Sequence, residues 1–92
     1  METYLRIIGQ NIRSTRLRKN ISQEALASMA GLDRSHIGYI ERGEKDIRIS
    51  TLIKISSALD IAPGSLLEAS VLPPSIAYLF SMIELLGGTS VL

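Results

Sequence analysis

Four side chains able to form directed hydrogen bonds stand within six consecutive residues, Arg34, Ser35, His36 and Tyr39, in the run LDRSHIGYIERGE. Arginine offers a planar fork of donors that fits two adjacent acceptors, serine donates or accepts, and histidine does either according to its tautomer. Such a set suits the reading of hydrogen-bonding edges better than a covalent step. The chain has no cysteine and one histidine, His36, which excludes disulfide scaffolds, thiolate zinc sites and Cys nucleophiles. No phosphate loop, activated nucleophile or metal-ligand set accompanies His36, so neither an enzyme nor a metal or cofactor is expected.

The elements that must carry these side chains are helical. Residues 3–19 read as a first helix, with Leu5, Ile8, Ile12 and Leu17 inward and Arg13, Arg16, Arg18 and Lys19 crowding the end where cations suit the helix dipole. Ser22 is a good cap for a second helix with Ala25, Leu26 and Met29 on its apolar face. Gly31 permits a sharp turn, Asp33 caps a third helix with Ile37 and Ile40 inward, and Gly43 ends it. Ser50 is expected to cap a fourth helix, with Leu52, Ile55, Ala58 and Leu59 inward. Pro63 suits the first turn of a short fifth helix, GSLLEA. A sixth helix is expected over residues 75–86, between Pro73-Pro74 and Gly87-Gly88. No segment has strand periodicity, and the fold class predicted is all-α with short connections.

Two short helices joined by a glycine-containing turn match the helix-turn-helix unit. In that unit the first helix lies across the nucleic-acid backbone and the N-terminal residues of the second reach base edges in the major groove. Arg34 can then hold guanine O6 and N7, with Ser35 and His36 beside it. The bland alternatives are a solvated Arg34 paired with Asp33 or Glu44, and a Tyr39 that leans on the protein surface.

The linked set S-Q-E-x-L-A from Ser22, Ala30-Gly31-Leu32, I-x-x-I-E-R-G from Ile37 and L-x-x-I-x-x-A-L-D-I-x-P-x-x-L-L from Leu52 resembles the Cro/repressor-type helix-turn-helix, the XRE family. The likeness covers about residues 5–69. Within the family, L-D-R-S-H-I and the E-R-G-E-K loop look most like the controller proteins of restriction–modification systems. The resemblance implies a five-helix lambda-repressor-like domain over residues 1–70 that binds double-stranded DNA; the apolar helix expected within residues 71–92 departs from it, since small controllers usually end near the fifth helix. It implies that Ser22 and Gln23 meet phosphate, that Gln23 also braces the recognition helix, that Arg34 and Ser35 lead the base-reading positions with Arg34 on a base or phosphate, that His36 touches phosphate or a thymine methyl, and that Tyr39 reaches the groove or the backbone. Arg42, Lys45 and Arg48 are then phosphate ligands, or an Arg there enters the minor groove. Arg16 and Glu41 are implied to form a partly buried ion pair.

All ten Lys and Arg, with six of the nine acids, fall in residues 1–54, whereas residues 55–92 carry three acids and no cation. A basic working half and a separate packing half follow. The family pairs through the region here spanning Ile61, Leu66 and Leu67. The expected last helix adds a stripe of Ile76, Leu79, Phe80 and Ile83, suited to a homodimer or tetramer or to packing back on its own domain. Its roughly dozen helical residues fall short of the about 20 that cross a bilayer. The N-terminus lacks a signal-peptide core, so a cytoplasmic, non-membrane protein is expected. The function predicted is a sequence-specific transcriptional regulator that binds a palindromic operator as a dimer, with RNA polymerase a further candidate partner. The alternative is an antitoxin or protein-interaction module on the same fold.

Overall fold

The structure, a computed structural model, describes residues 2–69. Four helices, α1 (Glu2–Arg18), α2 (Gln23–Ala30), α3 (Arg34–Glu41) and α4 (Ile49–Ala58), are followed by a 3-10 turn, Pro63–Leu67. The described residues contain no strand, and the all-α class holds. α2 packs against α3 and α4, while α1 packs against α3 and the 3-10 turn.

Each helix ends by the same device. Asn20, Gly31, Gly43 and Asp60 adopt positive φ, between 57° and 69°. The next residue's amide then reaches back five positions, Ile21 to Arg16, Leu32 to Ala27, Glu44 to Tyr39 and Ile61 to Ser56, at 2.8–3.0 Å. This is the Schellman closure, and it satisfies carbonyls that the helix end would leave open. Ile21, Leu32 and Ile61 then fold onto the core, so helix termination and core closure are one event. At the other end of α2, Ser22 Oγ accepts a hydrogen bond from the Ala25 amide at 3.0 Å.

The core comprises Ile8, Ile12, Leu26, Ala27, Ala30, Ile37, Ile40, Leu52, Ile55, Leu59 and Leu66. Shortening one of the fully buried members, such as Ile12 or Leu26, to Ala should cost about 2–5 kcal/mol. Gly9 sets the distance between α1 and α3. A Cβ there would stand 2.4 Å from the Ile40 carbonyl oxygen and 2.6 Å from that of Glu41, so only glycine permits this crossing.

Several expected positions are corrected. Leu17 and Met29 are exposed, because the inward stripe of α1 continues to Thr15 and Arg16 and that of α2 runs through Leu26, Ala27 and Ala30; Ala25 also faces out. α4 begins at Ile49 with Arg48 in the cap position, and Ser50 lies inside the first turn. Ile47, packed on the core, brings the chain in early enough for Thr51 and Leu52 to face the interior. The expected fifth helix is only the 3-10 turn. Asn11 Nδ2 donates to the carbonyls of Leu66 (3.0 Å) and Glu68 (2.7 Å), and Glu68 has already turned to an extended conformation. Leu66, expected at a pairing surface, is fully buried within its own chain as part of the core. Ile61 is half-buried on the core, and Leu67 is exposed. The expected helix over residues 75–86, with Ile76, Leu79, Phe80 and Ile83, lies outside the described residues.

Candidate nucleic-acid interface

The candidate surface is the exposed side of α3, whose inner side is locked in place. Arg16 Nε donates to Glu41 Oε2 at 2.7 Å and Arg16 Nη2 to Oε1 at 3.1 Å. Arg16 Nη1 also donates to the Ile21 carbonyl at 3.0 Å, and Gln23 Nε2 donates to Glu41 Oε1 at 3.0 Å. One carboxylate at the end of α3 therefore ties together α1, the start of α2 and α3. The Arg16 and Glu41 side chains are 9% and 2% exposed, so the attraction is little screened and their geometry is held. Three helices fixed in this way present the outer side of α3 at one angle.

Arg34 and Ser35 occupy the first turn of α3 and are exposed; His36 is half-buried. A cation in the first turn works against the helix dipole, and α3 has no acid there to offset it. Asp33, although in the cap position, makes no side-chain capping bond. Arg34 forms no ion pair among the described residues. Helix stability thus gives no account of an arginine at this position, whereas an anionic or acceptor-rich ligand does.

Ser35, His36 and Tyr39 line one surface hollow with Asp33 and Lys45. Lys45 Nζ stands 4.5 Å from the centre of the Tyr39 ring, and the Arg42 guanidinium carbon 5.2 Å from it. Tyr39 therefore holds two cations beside the helix by their attraction to its ring face. Arg42 Nε and Nη2 also donate to Glu44 Oε2 at 2.8 Å and Oε1 at 3.1 Å. That mutual hydrogen bond is the main reason the Arg42 pKa lies above, and the Glu44 pKa below, its usual value.

The hollow gathers Ser35, His36, Tyr39 and Lys45. Arg34 and Arg48 stand outside it, Arg48 at the N-cap of α4. Ser22 uses its hydroxyl oxygen as a cap and retains its proton as a donor. Among the described residues no three His, Asp or Glu side chains are placed to hold a metal ion. Sequence reasoning missed Gly9, Asn11 and the Arg42–Glu44 pair. The adjacency of Arg42 and Glu44 across Gly43 is the one local signal that pointed to any of them.

A short helix braced from behind, with an unpaired arginine in its first turn and cations around its end, defines a helix-turn-helix domain. The Helix-turn-helix family model HTH_3 matches residues 12–66, and the chain belongs to that family. It is 44% identical over 61 residues to control protein C.SmaI of Serratia marcescens, a match that covers 66% of this chain and 73% of that protein. Among solved structures, the restriction-modification controller protein C.AhdI of Aeromonas hydrophila matches at 44% identity and a TM-score of 0.66, covering 67% of this chain and 94% of that one. The P22 c2 repressor in complex with a synthetic operator matches at 33% identity and a TM-score of 0.64, covering 68% and 96%.

Proposed function

We propose that the chain is a sequence-specific DNA-binding transcriptional regulator that acts as a dimer on a palindromic operator. Arg34, exposed and unpaired in the first turn of α3, is the observation that carries this reading. In the major groove it presents its donor fork to guanine, with Ser35 and His36 reading the adjoining edges. Lys45, Arg42 and Arg48 take phosphates beside the helix, and Ser22 and Gln23 take them at the start of α2. Phosphate contacts position the domain and base contacts choose the sequence. Similarity to the control protein and to C.AhdI supports the narrower role of a restriction–modification controller.

One α3 reads only a few base pairs, so two copies on half-sites roughly 34–36 Å apart are required. The surface offered for pairing includes no residue of α3. Tyr4, Leu5, Ile8, Ile49, Leu52 and Leu67 line an apolar groove. In this reading Leu67 contributes to the pairing surface, while Leu66 supports it from the core. Residues 71–92, with Ile76, Leu79, Phe80 and Ile83, extend this apolar character without a Lys or Arg. RNA polymerase is the partner through which activation would act. No helix among the described residues is long and apolar enough to cross a membrane, and a cytoplasmic location fits a DNA ligand.

Selection of bound duplexes from a random pool at about 0.15 M salt, followed by sequencing, tests the reading. A two-fold symmetric motif is the expected result. An unenriched pool contradicts it. Sedimentation of the full chain beside one ended at residue 70 tests the assembly role of the tail, which predicts fewer copies per particle for the shorter chain; an unchanged number of copies contradicts it.

A further inference from the structure

We propose that Glu44 is a carboxylate latch on Arg42, which sets how tightly the chain holds DNA by competing with phosphate for that guanidinium. The inference rests on the DNA-binding reading above. Arg42 Nε and Nη2 grip the two oxygens of Glu44 at 2.8 and 3.1 Å, with the same parallel fork that a phosphate would take. The backbone sets this pairing up. Gly43 turns with φ +68°, and the Glu44 amide closes on the Tyr39 carbonyl at 3.0 Å, which brings the carboxylate within reach of Arg42.

Two further contacts place the guanidinium beside α3. It lies 5.2 Å from the centre of the Tyr39 ring. It also rests over Gly38, where an added Cβ would stand 3.2 Å from Arg42 Nη1. Arg42 is thus folded back along α3, between Tyr39 and Gly38 and beside the start of α1. Both side chains remain open to solvent, at 55% and 49% exposure, and an exposed pair of this kind is held weakly. An incoming phosphate can take the guanidinium, but the exchange leaves Glu44 ionised beside the duplex, with only the attraction of Lys45 to offset it. The latch therefore lowers affinity twice, by occupying a cation and by exposing an anion.

The buried pair at Arg16 and Glu41 shows the contrast. There the carboxylate is 2% exposed and also bonded by Gln23, so no ligand can displace it. Glu41 is a brace and Glu44 a competitor, three residues apart on the same corner of the fold.

The test is a four-protein cycle of the full chain: wild type, Glu44→Gln, Arg42→Ala and the double variant. Each is titrated onto a labelled mixed-sequence duplex of about 30 base pairs at several salt concentrations. Glu44→Gln should tighten binding about two- to fivefold near 0.1 M salt, the scale of an exposed ion pair. It should also steepen the slope of log K against log salt by roughly one. In the Arg42→Ala background the same substitution should have far less effect. An unchanged Kd and slope for Glu44→Gln overturns the latch, as does an equal gain without Arg42, which would make the effect one of general charge. Salt-dependent binding by wild type with no response to Glu44→Gln sinks the latch alone. If neither protein binds, the DNA-binding reading fails with it.

Discussion

Arg16 and Glu41, 25 residues apart in the chain, meet as a two-pronged ion pair at 2.7 and 3.1 Å, nearly sealed from solvent. The pair joins the last turn of α1 to the last residue of α3. Through Gln23 it also reaches the first residue of α2, so α1, α2 and α3 share one carboxylate. What reads as a basic helix end in the sequence is, for Arg16, the internal brace of α3.

Loss of one partner of that brace strands the other charge. Arg16→Ala or Glu41→Ala should each lower unfolding stability by about 3–5 kcal/mol in urea titrations. An Arg16→Met, Glu41→Leu double variant should recover most of the loss, since two apolar groups leave no buried charge unpaired. It should still bind DNA less well, because Gln23 loses its acceptor and the start of α2 its tie to α3.

Gly9→Ala should be destabilising although alanine favours helices. The added methyl would meet backbone oxygens of Ile40 and Glu41 at 2.4 and 2.6 Å, and backbone has little room to yield. Overpacking of this kind costs about 1–3 kcal/mol, to be read as a fall in the thermal midpoint. DNA affinity should fall as well, since α3 can only move away from α1.

The left-handed turns give a paired test. Gly31 has φ +69° with open space around its α-carbon, so Gly31→Ala meets no neighbour and registers backbone strain alone. A loss of about 1–2 kcal/mol in urea unfolding is expected. Asn20 has φ 58° without being glycine. Asn20→Gly should therefore be neutral or stabilising in the same measurement.

Phosphate ligands and base readers should separate by salt dependence. Arg48→Ala should weaken binding to all duplexes alike and reduce the salt slope by roughly one. Lys45→Ala should do the same, and Tyr39→Leu should give a smaller version of it, because the ring that holds Lys45 at 4.5 Å is gone.

The helices and the turn between α2 and α3 were legible because their signals are local: Ser22 as a cap, Gly31 and Gly43 as left-handed ends, Ile37 and Ile40 as the inner face of α3. The exposure of Arg34, Ser35 and Tyr39 on the outer side of α3 followed from the same spacing. Illegible features depend on contacts far apart in sequence. Asn11 ends the 3-10 turn from 55 residues away, so GSLLEA, a fair helix by composition, stops short. Leu17 and Met29 were assigned inward because apolar residues usually go there, yet the buried stripe of α1 passes through Arg16, whose partner lies on another helix. Gly9 gave no signal at all, since only the crossing of α1 and α3 shows why a side chain is excluded.

The central claim is that the first turn of α3 reads bases. Its most direct test is to select duplexes from one random pool with wild type and with Arg34→Ala, side by side. The account predicts a two-fold symmetric motif for wild type. For the variant it predicts the same spacing, with preference lost at one base pair in each half-site and affinity for the wild-type motif lower by about 1–3 kcal/mol. An identical motif from both proteins, with affinity lowered equally on every sequence, would make Arg34 a phosphate ligand and contradict the account.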